Sequence, residues 1–350
     1  MKKNFFKLSY IFIFLIVFIT FANCTFTDLP VQMLQDFTEY YTGTPINSYS
    51  ARHKKTEGLN KKGKYEITQI NYASEYSPYY PNSYMDIFYS GENPADCASN
   101  PVIFFIHGGC FWWGDTKTGN PLGHTEFANY INALTDNGFN VVMIDYALSP
   151  EYLFPTALIQ TNQALTFLSG KDSDGLARAE KYHLNMDSII LGGNSAGAVI
   201  CGQYTAALTN ESYQNLMGLP QMAISKEQVK AVILDDGFWD WKNMNIGVKV
   251  VTGNYMQKTV YLGAKTVNKY DIYNHITKDF PPTVFSVSLF THDGKRLSKK
   301  LTELGVRNLC IKPNEDRSGK EPHCYMIKKM GKSKVVEEEF AQLVEFLKEE

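Results

Sequence analysis

Residues 188–198 read Ser-Ile-Ile-Leu-Gly-Gly-Asn-Ser-Ala-Gly-Ala, an apolar run followed at once by small residues. The first four residues predict a buried strand, and residues 196–209 predict a helix directly behind the glycines. Ser195 therefore stands on a tight strand-to-helix turn, with Gly193 and Gly197 at the positions where a side chain would obstruct that turn. Such a turn exposes a serine hydroxyl to a neighbouring base, so Ser195 is a candidate nucleophile.

A second glycine turn lies upstream. The apolar run Val102–Ile106 predicts a strand, and a His-Gly-Gly-Cys turn follows it. Backbone N–H groups that converge on one point stabilise the oxyanion formed when an ester carbonyl is attacked. We expect such donors from Gly108, Gly109 and Cys110 in this turn, and from Ala196, which follows the candidate nucleophile.

Three motifs together resemble the α/β-hydrolase superfamily, and more narrowly its carboxylesterase branch of hormone-sensitive-lipase-like and acetyl-xylan or feruloyl esterase-like enzymes. They are His107–Cys110, the Asp-Tyr-Ala-Leu-Ser-Pro-Glu segment 145–151, and Gly193–Gly197. The resemblance runs from about Tyr84 to the C-terminus. It departs from the family at Cys110, Phe111 and Asn194, where glycine, tryptophan and aspartate are frequent. It implies a serine hydrolase of small or medium esters that needs no cofactor, with its serine, acid and histidine in that chain order.

The base is sought among the histidines that follow the serine. His323 lies in a loop between the apolar run 306–311 and a C-terminal helical segment, which is where this fold places its histidine. His275 falls in an expected lid, and His292 directly precedes the candidate acid, so we expect structural or solvated roles for both. The predicted base is His323.

The acid is expected at the end of a strand. Asp293 follows the predicted strand 283–289 and leaves room for the crossover connections on both sides. Its rivals are Asp235 and Asp236, at the end of the predicted strand 230–234, because some relatives carry the acid one strand earlier. We assign the acid to Asp293 on the sequence alone.

The alternation of strand and helix patterns predicts the α/β-hydrolase fold, with a mostly parallel eight-stranded sheet and helices on both faces. The predicted strands are 65–71, 84–89, 102–106, 140–144, 188–191, 230–234, 283–289 and 306–312, and the predicted helices are 125–136, 156–169, 196–209, 296–304 and 334–348. The first strands are expected to pair antiparallel at one edge. Residues 210–279 exceed the minimal fold and are expected to contain a small lid or cap.

The tryptophans fall in two places, each after a predicted strand. Phe111, Trp112 and Trp113 follow one strand and Trp239 follows another. Ligands bind at the carboxyl ends of strands in open α/β sheets, so these residues are candidates for an aromatic-walled substrate pocket. The alternative is that the tryptophans pack a cap onto the sheet.

Composition is that of one enzyme domain. The chain has 350 residues, of which 44% are hydrophobic, and a formal net charge of −2. This length predicts a single domain over residues 25–350. The sequence has no basic stripe interleaved with aromatics, so we expect no nucleic-acid partner. It also has no Cys/His cluster with metal spacing and no dinucleotide-binding motif, so we expect neither a metal nor a cofactor.

The N-terminus has the three regions of a secretory signal. Basic residues precede an apolar stretch at 11–19, and Ala22-Asn23-Cys24 offers small residues for cleavage. Residues 1–24 are therefore predicted to be a signal peptide that leads to secretion. A lipid on Cys24 or an uncleaved N-terminal segment would anchor the protein to a membrane instead.

The predicted function is hydrolysis of carboxylic esters with short to medium acyl chains, through a Ser-His-Asp triad and an acyl-enzyme. One alternative is amide hydrolysis of the arylformamidase kind, since those enzymes share the His-Gly-Gly motif. The other is a catalytically silent hydrolase-fold protein that binds a ligand. Silent relatives usually lose the serine or the histidine, and this chain retains both.

Overall fold

The structure is a computed structural model of the 350-residue chain. It describes residues 45–116, 126–241, 268–312 and 321–349, together with individual positions between 31 and 43 and between 244 and 256. The expected signal peptide, residues 1–24, lies outside the described residues, as does much of the expected lid. None of the helices that are described is long and apolar enough to cross a membrane.

The described chain forms one sheet of nine strands, in the spatial order β1-β2-β3-β5-β4-β6-β7-β8-β9. The strands are β1 Glu57–Leu59, β2 Tyr65–Asn71, β3 Tyr84–Phe88, β4 Pro101–Ile106, β5 Asn140–Ile144, β6 Asn185–Asn194, β7 Val229–Asp235, β8 Thr283–Ser286 and β9 Asn308–Ile311. The pairs β1–β2, β2–β3 and β3–β5 are antiparallel. The pairs β5–β4, β4–β6, β6–β7, β7–β8 and β8–β9 are parallel. The mostly parallel sheet with an antiparallel edge is confirmed. The short strand β1 adds a ninth strand to the predicted eight.

Helices cover both faces of this sheet. They are α1 Glu126–Asp136, α2 Thr156–Ser169, α3 Arg178–Lys181, α4 Ala196–Leu208, α5 Glu211–Met217, α6 Thr291–Glu303, α7 Tyr325–Lys329 and α8 Lys334–Lys348. The five predicted helices are all present. The short helices α3, α5 and α7 were not predicted, because each has at most two turns and no clear apolar period.

The central strands are buried on both sides, and their side chains divide between two cores. In β4, Val102, Phe104 and Ile106 belong to one apolar cluster, while Ile103 and Phe105 belong to the other. This follows from the period of two in a strand, which sends successive side chains to opposite faces. A continuous apolar run is the expected pattern for a parallel strand that has helices on both sides.

The range 210–279 is only partly a candidate lid. It includes α5 and also β7, a central strand of the sheet, so those residues belong to the fold itself. Residues 242–267 are mostly outside the described part of the chain. The expectation of a lid there stays a prediction.

Helix α6 begins five residues earlier than predicted, at Thr291, and this changes the position of Asp293. Asp293 lies in the first turn of the helix, is 5% exposed and accepts a backbone N–H from Trp239. Burial raises its pKa to about 7, with a further contribution from the nearby Asp240. Asp240 also forms an ion pair with Arg296, so the positive charge of Arg296 is shared between Asp240 and Asp293.

We predict that Asp293→Asn stabilises the protein above neutral pH. A carboxyl whose folded pKa is raised to about 7 is favoured while protonated, and its contribution to stability is lost as pH rises from about 4 towards 7 and above. The neutral amide avoids that loss. We expect the free energy of unfolding at pH 8 to rise by on the order of 2 kcal/mol, with little change near pH 4.

Urea unfolding at both pH values measures this difference. Asp187→Asn is the matched control, because Asp187 is exposed near the start of the central strand β6 and should show no such pH-dependent gain. An equal effect of the two substitutions at pH 8 would contradict the argument from burial.

Candidate active site

Ser195 occupies a sterically forced turn between β6 and α4. Its backbone has φ 53° and ψ −120°, a conformation rarely adopted by a residue with a side chain. A Cβ on Gly193 would lie 2.4 Å from the Gly197 carbonyl carbon, and a Cβ on Gly197 would lie 2.0 Å from the oxygen of Ile106. Both glycines are therefore required for the turn to close against β4. The turn presents Ser195 at the carboxyl end of the sheet.

Three side chains form a hydrogen-bonded chain at this edge. The Ser195 hydroxyl donates to His323 Nε2 over 2.8 Å, and His323 Nδ1–H donates to Asp236 Oδ2 over 2.7 Å. The Asp236 side chain is fully buried, whereas the His323 side chain is 28% exposed. The structure thus brings together a hydroxyl, an imidazole and a carboxylate in the order that nucleophilic catalysis by serine requires.

Backbone and side-chain donors surround the Asp236 carboxylate. The N–H groups of Ser288, Leu289 and Phe290, which immediately precede α6, donate to its Oδ1 over 2.9–3.0 Å. The Ser288 hydroxyl and the Cys324 N–H donate to its Oδ2. Burial alone would raise the pKa of Asp236, but these donors and His323 hold it below the ordinary range. Asp236 is therefore an anion that is fixed in place.

The geometry of the structure contradicts the assignment of the acid to Asp293. The partner of His323 Nδ1 is Asp236, one of the two rivals weighed from the sequence. Asp293 is held in the first turn of α6, where its carboxyl faces Trp239 and Asp240. The other rival, Asp235, is the last residue of β7, and burial beside the Asp236 charge raises its pKa well above the usual value. Asp236 follows β7 with a left-handed backbone of φ 51°, and its carboxylate is the one of the two that reaches His323.

The turn after β4 lies beside Ser195, and one of the three oxyanion donors predicted in this turn already has a hydrogen-bond partner. The Gly108 N–H donates to Asn194 Oδ1 over 2.9 Å, so Gly108 is removed from the predicted set. No described residue accepts a hydrogen bond from the backbone N–H of Gly109, Cys110 or Ala196. Ala196 is the first residue of α4, where backbone N–H groups lack partners within the helix. These three donors remain candidates.

A buried imidazole supports the same turn from below. His107 stacks on Tyr146 with ring centroids 4.4 Å apart, and its Nδ1 lies 2.6 Å from the Gly108 carbonyl oxygen. Burial lowers the pKa of His107 to about 4, so this imidazole is neutral and can donate Nδ1–H to that carbonyl. The Tyr146 hydroxyl donates to the His107 carbonyl over 3.1 Å. His107 therefore supports the turn, and among the described residues no hydrogen bond joins its side chain to Ser195.

Asn194 links three parts of the site. Its Oδ1 accepts from the Gly108 N–H, and its Nδ2 donates to Cys324 Sγ over 3.6 Å. One amide side chain thereby ties the strand that carries Ser195 to the turn after β4 and to the residue next to His323. Sequence comparison with the family marked Asn194 only as a departure, because neither contact is visible without the fold.

An aromatic layer lies beside the histidine. We use this term for Phe111, Phe238, Trp241, Tyr255 and Phe290. The Phe290 ring meets His323 edge-on at 5.5 Å and packs on Phe238, while Phe111 stacks on Tyr255 at 3.8 Å and contacts both Phe238 and Trp241. Phe111, Phe238, Trp241 and Tyr255 are each at most 2% exposed. The layer is therefore densely packed next to the hydrogen-bonded chain.

The structure places the predicted pocket residues in different surroundings. Phe111 belongs to the aromatic layer. Trp112 and Trp113 stack on each other at 5.4 Å, and the Trp112 carbonyl accepts a hydrogen bond from Gln35. The prediction that Trp239 lines the pocket was wrong, because its indole packs against Gly202 of α4 and Phe285 of β8 inside the core.

The remaining histidines after Ser195 stay away from it. His275 stacks on Tyr213 at 4.0 Å and its Nε2 contacts the Asn268 carbonyl, while His292 is exposed on α6. The sequence did not single out Ser288 or Phe290, whose only signal was their place directly after β8. Both lie at the carboxyl end of the parallel sheet, two strands from β6, which is the edge where ligands bind in this fold class.

Curated relatives match the chain over part of its length. A putative alpha/beta hydrolase of Acanthamoeba polyphaga mimivirus is 22% identical over 59% of this chain and 57% of its own length. An acetyl esterase of Salmonella schwarzengrund is 30% identical over 29% of this chain and 27% of its own length. The chain thus spans between about a quarter and three fifths of the length of these relatives.

A solved structure and a family model cover more of the chain. Esterase B from Lactobacillus rhamnosis superposes with a TM-score of 0.67 at 15% identity, over 91% of this chain and 93% of its own. This similarity confirms the α/β-hydrolase fold. The BD-FAE family model matches residues 85–286, which is more than half of the chain and includes Ser195 and Asp236. The chain therefore belongs to the BD-FAE family and has the α/β-hydrolase fold.

Proposed function

We propose that this protein hydrolyses carboxylic esters with Ser195 as nucleophile, His323 as base and Asp236 as acid. One observation carries the proposal, namely the chain of hydrogen bonds from Ser195 Oγ to His323 Nε2 and from His323 Nδ1 to Asp236, at 2.8 Å and 2.7 Å. The acetyl esterase of Salmonella schwarzengrund among the relatives, and the esterase fold neighbour, support the same reaction class.

The first half of the reaction forms an acyl-enzyme. Asp236 keeps the proton of the imidazole on Nδ1, so Nε2 is free to take the Ser195 proton as the oxygen attacks the ester carbonyl. The negative charge that develops on the carbonyl oxygen is stabilised by the backbone N–H groups of Gly109, Cys110 and Ala196. The buried Asp236 carboxylate stabilises the imidazolium that results. This half ends when the imidazolium gives its Nε2 proton to the leaving alkoxide, the tetrahedral intermediate collapses and the alcohol departs.

In the second half, His323 takes a proton from water, which attacks the acyl-enzyme. The imidazolium then returns that proton to Ser195 Oγ as the carboxylic acid is released. The His323 side chain is 28% exposed whereas that of Asp236 is fully buried, which supports access of water to the imidazole.

The aromatic layer favours short acyl chains. Phe111 follows two of the proposed oxyanion donors directly, and it is stacked between Tyr255 and the rings of Phe238 and Trp241. Packed rings beside the nucleophile turn the gain from each added methylene into a clash once the acyl chain reaches them. We propose acetyl and other short to medium acyl groups as the natural range.

The first prediction from this proposed function separates the two candidate acids. Ser195→Ala and His323→Ala should each lower kcat/KM for p-nitrophenyl acetate by about 10³-fold or more, as losses of triad members do. In Asp236→Asn, kcat/KM should fall by a similar factor, because the amide holds the imidazole of His323 in the wrong tautomer. Asp293→Asn should stay within about threefold of the unsubstituted protein, since its carboxyl does not contact His323.

Labelling with a fluorophosphonate tests the same chemistry without a substrate. Label on the unsubstituted protein and none on Ser195→Ala is the expected pattern. Full stability without any labelling would favour a silent binding protein, and faster turnover of N-formyl aromatic amides than of esters would favour the amidase alternative. Loss of activity in Asp293→Asn with activity kept in Asp236→Asn would reverse the assignment of the acid.

The second prediction concerns acyl length. With p-nitrophenyl esters, kcat/KM should be highest at or below roughly eight carbons, since a buried methylene contributes only up to about 0.8 kcal/mol before it meets the wall. Phe290→Ala should move the maximum to longer chains, because this half-buried ring is the member of the layer next to His323. Leu289→Ala is the matched control, being 60% exposed at the adjacent position. A maximum at palmitate in the unsubstituted protein would refute the short-chain proposal.

The third prediction concerns localisation. We propose that residues 1–24 direct export, on the basic and apolar pattern of that segment. Edman sequencing of the protein recovered from culture medium should then begin at about residue 25. Recovery in the membrane fraction with an intact N-terminus, or with a fatty acid on Cys24, would replace secretion by anchoring.

A further inference from the structure

Cys324 places a thiol against the imidazole of its neighbour. Its Sγ lies 3.6 Å from His323 Nε2, on the side of the ring that faces Ser195. We propose that His323 Nε2 and Cys324 Sγ, with Ser195 Oγ as a third ligand, form a binding site for Zn²⁺ or a similar thiophilic divalent cation. Occupation of this site would switch off the proposed hydrolysis; the binding itself is independent of that function.

The spacing of the two ligand atoms suits a tetrahedral ion. Zinc lies about 2.3 Å from a cysteine sulfur and about 2.0–2.1 Å from a histidine nitrogen. Two such bonds at a tetrahedral angle put the sulfur and nitrogen roughly 3.5 Å apart. The observed separation is 3.6 Å, so the pair can bind the ion with little movement. Ser195 Oγ, 2.8 Å from the same nitrogen, lies within reach of a third position.

The backbone brings the two neighbouring side chains to one point. Successive side chains of an extended segment point to opposite sides. Cys324 instead has φ 54° and ψ 45°, a left-handed conformation, just before α7. A close pair of adjacent His and Cys ligand atoms is therefore a product of this turn, and it does not appear as a spacing motif in the sequence.

The surroundings match those of known metal ligands. A metal-bound histidine commonly donates its other ring N–H to a carboxylate, which fixes the tautomer and the ring plane. Asp236 already accepts Nδ1–H at 2.7 Å, so Nε2 presents its lone pair to the site. Asn194 Nδ2 approaches Cys324 Sγ at 3.6 Å as a donor, a contact that stabilises charge on a metal-bound thiolate.

Asp236 serves this site as a support and not as a ligand. Its carboxylate lies close to the His323 and Cys324 ligand atoms, but its Oδ2 already accepts from His323, Ser288 and the Cys324 N–H. Its Oδ1 accepts from the N–H groups before α6. A water molecule is the simplest fourth ligand, because the His323 side chain is partly exposed.

Binding would block catalysis by a direct route. The cation takes the Nε2 lone pair that otherwise receives the serine proton, so the base is lost. The Cys324 S–H proton passes to solvent. One metal–sulfur, one metal–nitrogen and one metal–oxygen bond form as water molecules leave the hydrated cation, and no oxidation state changes. A chelator should restore activity, because no covalent bond within the protein is broken.

Zinc titration of esterase activity tests the inhibition. Each variant is compared with its own rate in the presence of EDTA. The zinc concentration for half inhibition should rise at least about tenfold in Cys324→Ser and in Cys324→Ala, since each removes the soft ligand. Cys310→Ser is the matched control, because Cys310 is a half-buried free thiol on β9 and should leave zinc sensitivity unchanged. Mg²⁺, which prefers oxygen ligands, should not inhibit.

Cobalt absorption tests the binding alone. Co²⁺ added to the unsubstituted protein should produce a thiolate-to-metal charge-transfer band that zinc abolishes, and Cys324→Ser should lack it while Cys310→Ser retains it. This readout needs no turnover, so a protein without esterase activity would still confirm or refute the site. Equal zinc inhibition of Cys324→Ser and the unsubstituted protein, or a cobalt band that persists in Cys324→Ser, would overturn the proposal.

Discussion

A single buried carboxylate holds the candidate site together. Asp236 is shielded from solvent, and a buried charge is unfavourable unless donors replace the lost water. Its partners come from separate parts of the chain, namely the Ser288–Phe290 segment before α6, the His323 side chain and the Cys324 backbone. The requirement to satisfy one anion therefore fixes the histidine loop against the end of the sheet. Removal of any partner would leave a charge that is costly to bury.

The same edge of the sheet is fixed by close approach of backbones. Gly197 lies so near the end of β4 that a Cβ on it would overlap the Ile106 oxygen. This close approach holds the turn that carries Ser195 against β4, the strand that leads into the turn at Gly108–Cys110. The Asn194 side chain then bridges Gly108 and Cys324 by hydrogen bonds. Steric contact sets the distance, and the amide sets the relative orientation. Together they hold the proposed oxyanion donors beside Ser195, which is the arrangement that electrostatic catalysis requires.

Placement at the strand ends also gives this site two uses for one imidazole. His323 is oriented by Asp236 so that Nε2 faces Ser195, and an Nε2 lone pair held in this way can accept a proton or bind a cation. The thiol of Cys324 lies at the same nitrogen. Burial raises the pKa of that thiol well above its usual value, and the Asp236 carboxylate adds to the effect, so the thiol is uncharged in the free protein. The proposed catalytic role of His323 and the proposed metal site both depend on the hydrogen bond between His323 and Asp236.

The sequence by itself determined the layered architecture and singled out Ser195 and His323, which the structure places within hydrogen-bonding distance. Continuous apolar runs predict strands buried on both faces, and glycines around Ser195 predict a turn that no larger residue allows, so these features follow from local sterics and burial. The choice of Asp236 over Asp293 needed the tertiary structure, because both aspartates follow predicted strands and only the start of α6 shows that Asp293 lies within a helical turn. The contact between Asn194 and Cys324 joins residues 130 positions apart. Local pattern carries no information on such a pair, since its distance is set by how β6 and the histidine loop pack around one buried charge.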